Sequence, residues 1–149
     1  MKKFLKSLLL VSMVLVLPLF VLSWSSRGIP VTGLVSDGRL AACPESPNCV
    51  SSEEGEVEPL SFSGPPDLAW MRLKRSIQAE GGTVEIDKVT YLAASFESAF
   101  FRFVDDMEFR LVSDEQLIHL RSASRVGYSD MGANRKRVEK LRELFEFSK

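Results

Sequence analysis

The chain has 149 residues, 45% of them hydrophobic and 26% charged, which is the profile of one ordinary globular domain. Its formal charge is −1; without the first 26 residues, which hold Lys2, Lys3 and Lys6 and no acid, 16 basic side chains face 20 acidic ones. That balance argues against a nucleic-acid surface, which needs a strongly basic domain, and the composition leaves no room for collagen, coiled coil or extended disorder.

Met1-Lys2-Lys3-Phe4-Leu5-Lys6 is a basic start, and the apolar run from Leu8 to Leu22 is broken only by Ser12 and Pro18. This is the layout of a secretory signal. Val21/Ser23 or Ser23/Ser25 could flank a cleavage site, while Ser7 to Trp24 is just long enough to approach the roughly 20 residues of a spanning anchor. Either way the domain is expected to be exported, periplasmic or anchored in the cytoplasmic membrane and facing outward. If the segment stays uncleaved, the membrane is its partner. Leu40-Ala41-Ala42-Cys43 imitates a lipoprotein site, but Arg27, Asp37 and Arg39 separate it from the apolar run and Pro44 follows directly. Residues 1–26 therefore read as signal or anchor, 27–42 as a linker with Gly28, Pro30, Gly33 and Gly38 and no apolar period, and 43–149 as a single globular domain.

The two cysteines, Cys43 and Cys49, bracket Pro44-Glu45-Ser46-Pro47-Asn48. In an exported protein the expected product is a disulfide closing a short loop. No metal is expected, since structural zinc needs four ligands and the chain adds only one histidine, His119.

An acidic stretch (Glu53, Glu54, Glu56, Glu58) follows and reads as irregular. Pro65-Pro66-Asp67 opens a helix that Ser63 or Gly64 could cap; Trp70, Leu73 and Ile77 recur at helical spacing until Gly81-Gly82. The period then changes to two. Val84 and Ile86 mark a first strand, Leu92, Ala94 and Phe96 a second, and Phe101, Phe103, Met107, Phe109 and Leu111 a third spanning Phe100 to Leu111. Ile118 and Leu120 mark a fourth. After Gly127, Met131, Val138, Leu141 and Phe145 form the stripe of a second helix. The expected fold is α+β, an antiparallel four-stranded meander with two helices on one face, preceded by the N-terminal segment.

Two places break this pattern. Asp105 shares the parity of Phe103 and Met107, so alternation buries a carboxylate unless the chain bends there or a cation meets it, the candidates being Arg121 and Arg125. From Arg121 to Arg137, a strand hands over to a helix amid Arg, Ser, Tyr, Asp and Asn. Free N–H groups at a helix start suit an anion, but a capping Ser129 or Asp130 would occupy that place.

Cys43 to Ser52, Phe103-Val104-Asp105-Asp106-Met107-Glu108-Phe109, and Arg121 to Asp130 followed by Asn134-Arg135-Lys136-Arg137-Val138-Glu139 resemble the three signature blocks of the domain of unknown function 1499 family. The resemblance covers roughly Leu40 to Phe145. It implies a domain found behind a signal or anchor and carries no established activity. It also directs attention to Asp105, Asp106, Arg121, Ser124, Arg125, Tyr128, Asp130, Asn134 and Arg135, where the motif matches.

These nine residues make the expected site of a binding module for a small anionic or polar ligand outside the cytoplasmic membrane. The alternative is a structural or interaction protein in which the same residues form an internal Arg–Asp network. The third reading is a hydrolase-like enzyme drawing on Ser122, Ser124 or Ser129 with His119 or Asp106. It lacks a marked serine motif, and neighbouring carboxylates such as Asp105 and Asp106 on a strand point to opposite faces. No nucleotide loop, haem motif or flavin fingerprint occurs, so no cofactor is expected.

Overall fold

The computed structural model describes residues 2–35 and 37–147, with side chains from Met13 onward except Leu15. Met1 and the lysine side chains of the expected signal lie outside the described residues. Helix α1 spans Lys2–Ser26. Among the described residues, no helix is long and apolar enough to cross a membrane.

The body is α+β. Strands β1 (Cys49–Ser51) and β2 (Leu60–Ser61) precede helix α2 (Pro66–Ala79). Strands β3 (Thr83–Asp87), β4 (Tyr91–Glu97), β5 (Val104–Val112) and β6 (Leu117–Ser124) then run as an antiparallel meander, and helix α3 (Ala133–Phe147) closes the chain. The sheet has the order β1-β6-β5-β4-β3, with β2 also pairing β6. It thus has six strands rather than four. The two extra ones are three and two residues long, too short to display a period, and both pair antiparallel with the free edge of β6.

Alternation sorts the two faces. Leu92, Phe109 and Leu120 lie side by side across β4, β5 and β6, as do Ala94 and Met107. With Ala69, Trp70, Leu73 and Ile77 of α2 and Val138, Leu141 and Phe145 of α3 they form the main core, so both helices cover one face. Helix α2 starts from Pro65 without a side-chain cap, contrary to the Ser63 or Gly64 expected; Pro66 needs no N–H at that position. At its end Gly81 has φ 87°, and a Cβ on Gly82 would come within 2.5 Å of the Phe96 ring. The helix stops where only glycine lets β4 approach.

Three local expectations change. A bulge between Val84 and Ile86 sends Val84 into the main core and Ile86 to the other face, so they do not share a side. Strand β5 begins at Val104, because Arg102 takes φ 58° in a tight turn closed by Ser98 N–H donating to the Phe103 carbonyl (2.9 Å); Phe101 and Phe103 leave the strand. Met131 has φ 54° and is 92% exposed outside α3, so the helix stripe begins at Asn134 instead.

The second face of the sheet is covered by chain from the end of α1 to Leu40. Leu40 packs with Tyr91, Ala93, Val31 and Ile86. Ser26 and Gly33 reach the strands by hydrogen bonds. Cys43 and Cys49 are disulfide-bonded, with Cα atoms 5.6 Å apart.

Candidate functional site

The sheet divides the nine expected residues between its two faces. Asp105 keeps the parity of Met107 and faces the helices, where its partner is Arg137 of α3 (Nη2 to Oδ2, 2.8 Å). The cation therefore comes from the helix layer, since Arg121 of the next strand and Arg125 just past its end engage Glu108 and Asp106 on the other face. The Arg137 guanidinium also lies 4.9 Å from the centre of the Phe96 ring. Asn134, fully buried at the head of the α3 stripe, joins the same network. Its Oδ1 accepts from Ser122 Oγ (2.6 Å) and Arg137 Nη1 (3.0 Å). Its Nδ2 donates to the Asn48 carbonyl (2.9 Å) and Ser124 Oγ (3.0 Å). The Asn48 amide in turn donates to the Gly127 carbonyl at 2.6 Å. Disulfide loop, strand end and helix start are thereby tied at one point.

Asp130 caps α3. Its carboxylate accepts from the Asn134 N–H (2.7 Å) and the Gly132 N–H (3.0 Å). Partial burial pushes the carboxyl up, and these backbone donors overcome it and hold it below the usual aspartate range. The place of an anion is taken by the protein's own carboxylate. Tyr128 is exposed, and Arg135 donates to the Glu56 carbonyl (3.1 Å).

On the second face, Asp106 meets Arg125 in a two-pronged pair, both contacts 2.8 Å. That hydrogen bonding holds the guanidinium even more firmly protonated than usual. Arg125 Nη1 continues to the carbonyls of Ser26 and Arg27. Beside it lies Glu108, with no exposed surface. It accepts from Tyr91 Oη (2.6 Å), the Gly33 N–H (2.7 Å) and Arg121 Nη1 (3.0 Å). Burial, then this carboxylate, push the Tyr91 phenol far above its ordinary value. Arg121 Nε is buried without a hydrogen-bond partner among the described residues.

Glu53 completes this face. It accepts from Arg110 Nε at 2.7 Å and Arg39 Nε at 2.9 Å. Burial by itself raises its carboxyl; the hydrogen bonds from Arg110, Arg39 and the Leu40 N–H outweigh it and hold the group at about 2, against an ordinary 4.5. A depressed folded value means that the ionised form stabilises the fold. This contribution is complete above about pH 4.5 and is lost as the pH falls toward about 2. Urea midpoints followed by circular dichroism are expected to decline across that window in the native chain. In Glu53→Gln they start lower and change less with pH.

His119 makes no catalytic relay. Ser52 Oγ (3.1 Å) and Glu53 Oε2 (3.9 Å) both approach the same ring nitrogen, Nδ1, and among the described residues no carboxylate pairs with the other one. Ser52 Oγ is also engaged with both the N–H and the carbonyl of Leu120. Burial lowers the His119 pKa, leaving the ring neutral at neutral pH. Glu54 and Glu56 converge on Cys43 Sγ, but that sulfur is in the disulfide and has no thiolate to offer a metal. A depression of about 280 Å³ beside the disulfide is lined by Val50, Glu56, Asp130, Gly132 and Arg135. Its two carboxylates and single guanidinium do not make an anion site.

Sequence reasoning missed Asn48, Glu53, Tyr91, Glu108 and Arg137 as members of these networks. Asn48 and Arg137 lie inside the signature blocks. Nothing local marks Glu53, whose partners are 14 and 57 residues away.

The family resemblance stands on these same residues. No curated protein matches the chain. Residues 39–145 match the model of the family described as protein of unknown function (DUF1499), and they contain the paired side chains of both networks, the disulfide, helix α2 and all but the last two residues of α3. The chain belongs to that family.

Proposed function

We propose that this protein is an interaction module of the cell envelope, held at the outer side of the cytoplasmic membrane by its N-terminal helix. The observation that carries the reading is the pairing of the charges at the signature positions. Asp105 is met by Arg137, Asp106 by Arg125, Glu108 by Arg121, and Asp130 by the N–H groups of α3. Guanidinium groups engaged in this way brace the fold and leave a small anion little to bind. The basic start and the apolar run from Leu8 to Leu22 support export and retention at the membrane.

Thermal unfolding of the full chain in detergent micelles, with its disulfide intact, tests the reading across a panel of anions, divalent metals and polar metabolites. No ligand is expected to raise the midpoint, and Arg125→Ala is expected to lower it by several degrees. A ligand that raises the native midpoint at millimolar concentration or below, and fails to do so in Arg125→Ala, overturns the reading in favour of a binding site.

The orphaned Arg121 Nε favours a second reading, a small polar ligand under the segment that crosses the sheet's second face. A response to a ligand that Arg121→Lys abolishes would identify it.

A further inference from the structure

We propose that the turn between β4 and β5 is a second membrane contact, placing Phe100 in the interfacial layer beside the end of α1. This rests on the reading that α1 holds the chain at a membrane. The turn carries three phenylalanines in four residues, Phe100, Phe101 and Phe103, and Phe100 is 77% exposed at its tip. Nothing in the packing of the body needs that ring. The turn is joined to α1 by Ser23 Oγ, which donates to the Phe101 carbonyl, and by the Phe20 and Phe101 rings, whose centres are 5.7 Å apart. Phe100 and Phe103 flank Phe101 at 4.8 and 6.0 Å. One apolar surface therefore runs from the helix onto the turn.

The exposure pattern of α1 selects lipid as the occupant. Leu17, Leu19, Phe20, Val21 and Leu22 are all substantially exposed, and at about 100° per residue they point in every direction around the axis. A protein groove reads one stripe of a helix at spacings of three and four; a helix apolar on all sides belongs in hydrocarbon. Trp24 then marks the boundary. It is 75% exposed, with the Arg27 guanidinium 5.5 Å from its ring, the kind of amphipathic group found at headgroup level. The turn meets α1 at Phe20 and Ser23, both within about one helical turn of Trp24 on its N-terminal side. Arg102, exposed and paired with Glu97, sits beside the phenylalanines where anionic headgroups would meet it. A large exposed aromatic patch facing water is rare, and contact with lipid removes it from water.

Fluorescence of the full chain reconstituted into phosphatidylcholine–phosphatidylglycerol vesicles tests this, with bromine carried at the headgroup end of the acyl chains as a contact quencher. The native chain reports on Trp24, because Trp70, on the core face of α2, is buried and stays unquenched. Phe100→Trp in a Trp24→Phe background reports on the turn; the position is exposed, so folding is unaffected. The expected result, in both chains, is a blue-shifted reporter emission that is lost on brominated lipid over the unchanged contribution of Trp70. Quenching of Trp24 alone overturns the second contact and leaves α1 in the membrane. Quenching of neither, with the chain remaining in the supernatant, overturns the membrane-held reading and this inference together.

Discussion

Glu108→Ala is expected to cost about 3–5 kcal/mol of unfolding free energy, since it strips a buried cation of its partner. The carboxylate has no exposed surface and accepts from Tyr91, Arg121 and the Gly33 N–H at 2.6–3.0 Å. Its removal leaves the Arg121 charge in an interior where Nε already lacks a partner. Urea unfolding measures the effect as a lower midpoint at unchanged slope. Glu108→Gln should lose less, because one amide oxygen still serves Tyr91 and Gly33 while the cation goes uncompensated. Replacing both partners, Glu108→Leu with Arg121→Met, should recover most of the loss, since no buried charge then remains. A double variant as unstable as Glu108→Ala alone would show that the pair contributes more than relief of its own desolvation.

Asn134→Ala is expected to destabilise by about 3 kcal/mol, several unsatisfied buried groups at once. Its amide serves Ser122, Ser124, Arg137 and the Asn48 carbonyl, and no other side chain reaches all four. The loss should be accompanied by faster hydrogen exchange at Ser124, whose N–H donates to the same Asn48 carbonyl at 2.9 Å. Asn134→Asp separates geometry from chemistry. It keeps the acceptor for Ser122 and Arg137 but turns an oxygen toward the Asn48 carbonyl. It should therefore restore little. Full stability in Asn134→Asp would mean that Arg137 alone holds the helix start.

Much of this architecture is legible along the chain. The helix over residues 66–79 follows from Pro66, the spacing of Trp70, Leu73 and Ile77, and the glycine pair behind it. The meander follows from period-two alternation and short connections, and the disulfide from two cysteines in one short loop. Strands β1 and β2 were hidden because each exists only through its pairing with β6. Phe101 and Phe103 misled the reading of β5. Their parity matched Met107, yet the positive φ of Arg102 bends the chain before the strand begins.

Of the candidate site, the residue types and their concentration were readable, and their distribution over two faces was not. Asp105 and Asp106 illustrate the difference. Their adjacency on a strand already requires opposite orientations. Which cation each meets depends on what covers each face. Arg137 waits on α3 for Asp105, and Arg125, just past the end of β6, for Asp106, at 2.8 Å in both cases. The sequence by itself determined the helices, the meander, the disulfide and the family, because spacing and block order are properties of the chain. Only the tertiary structure decided that the signature charges neutralise one another, because a charge pair is fixed by the register of strands and the layer packed above them.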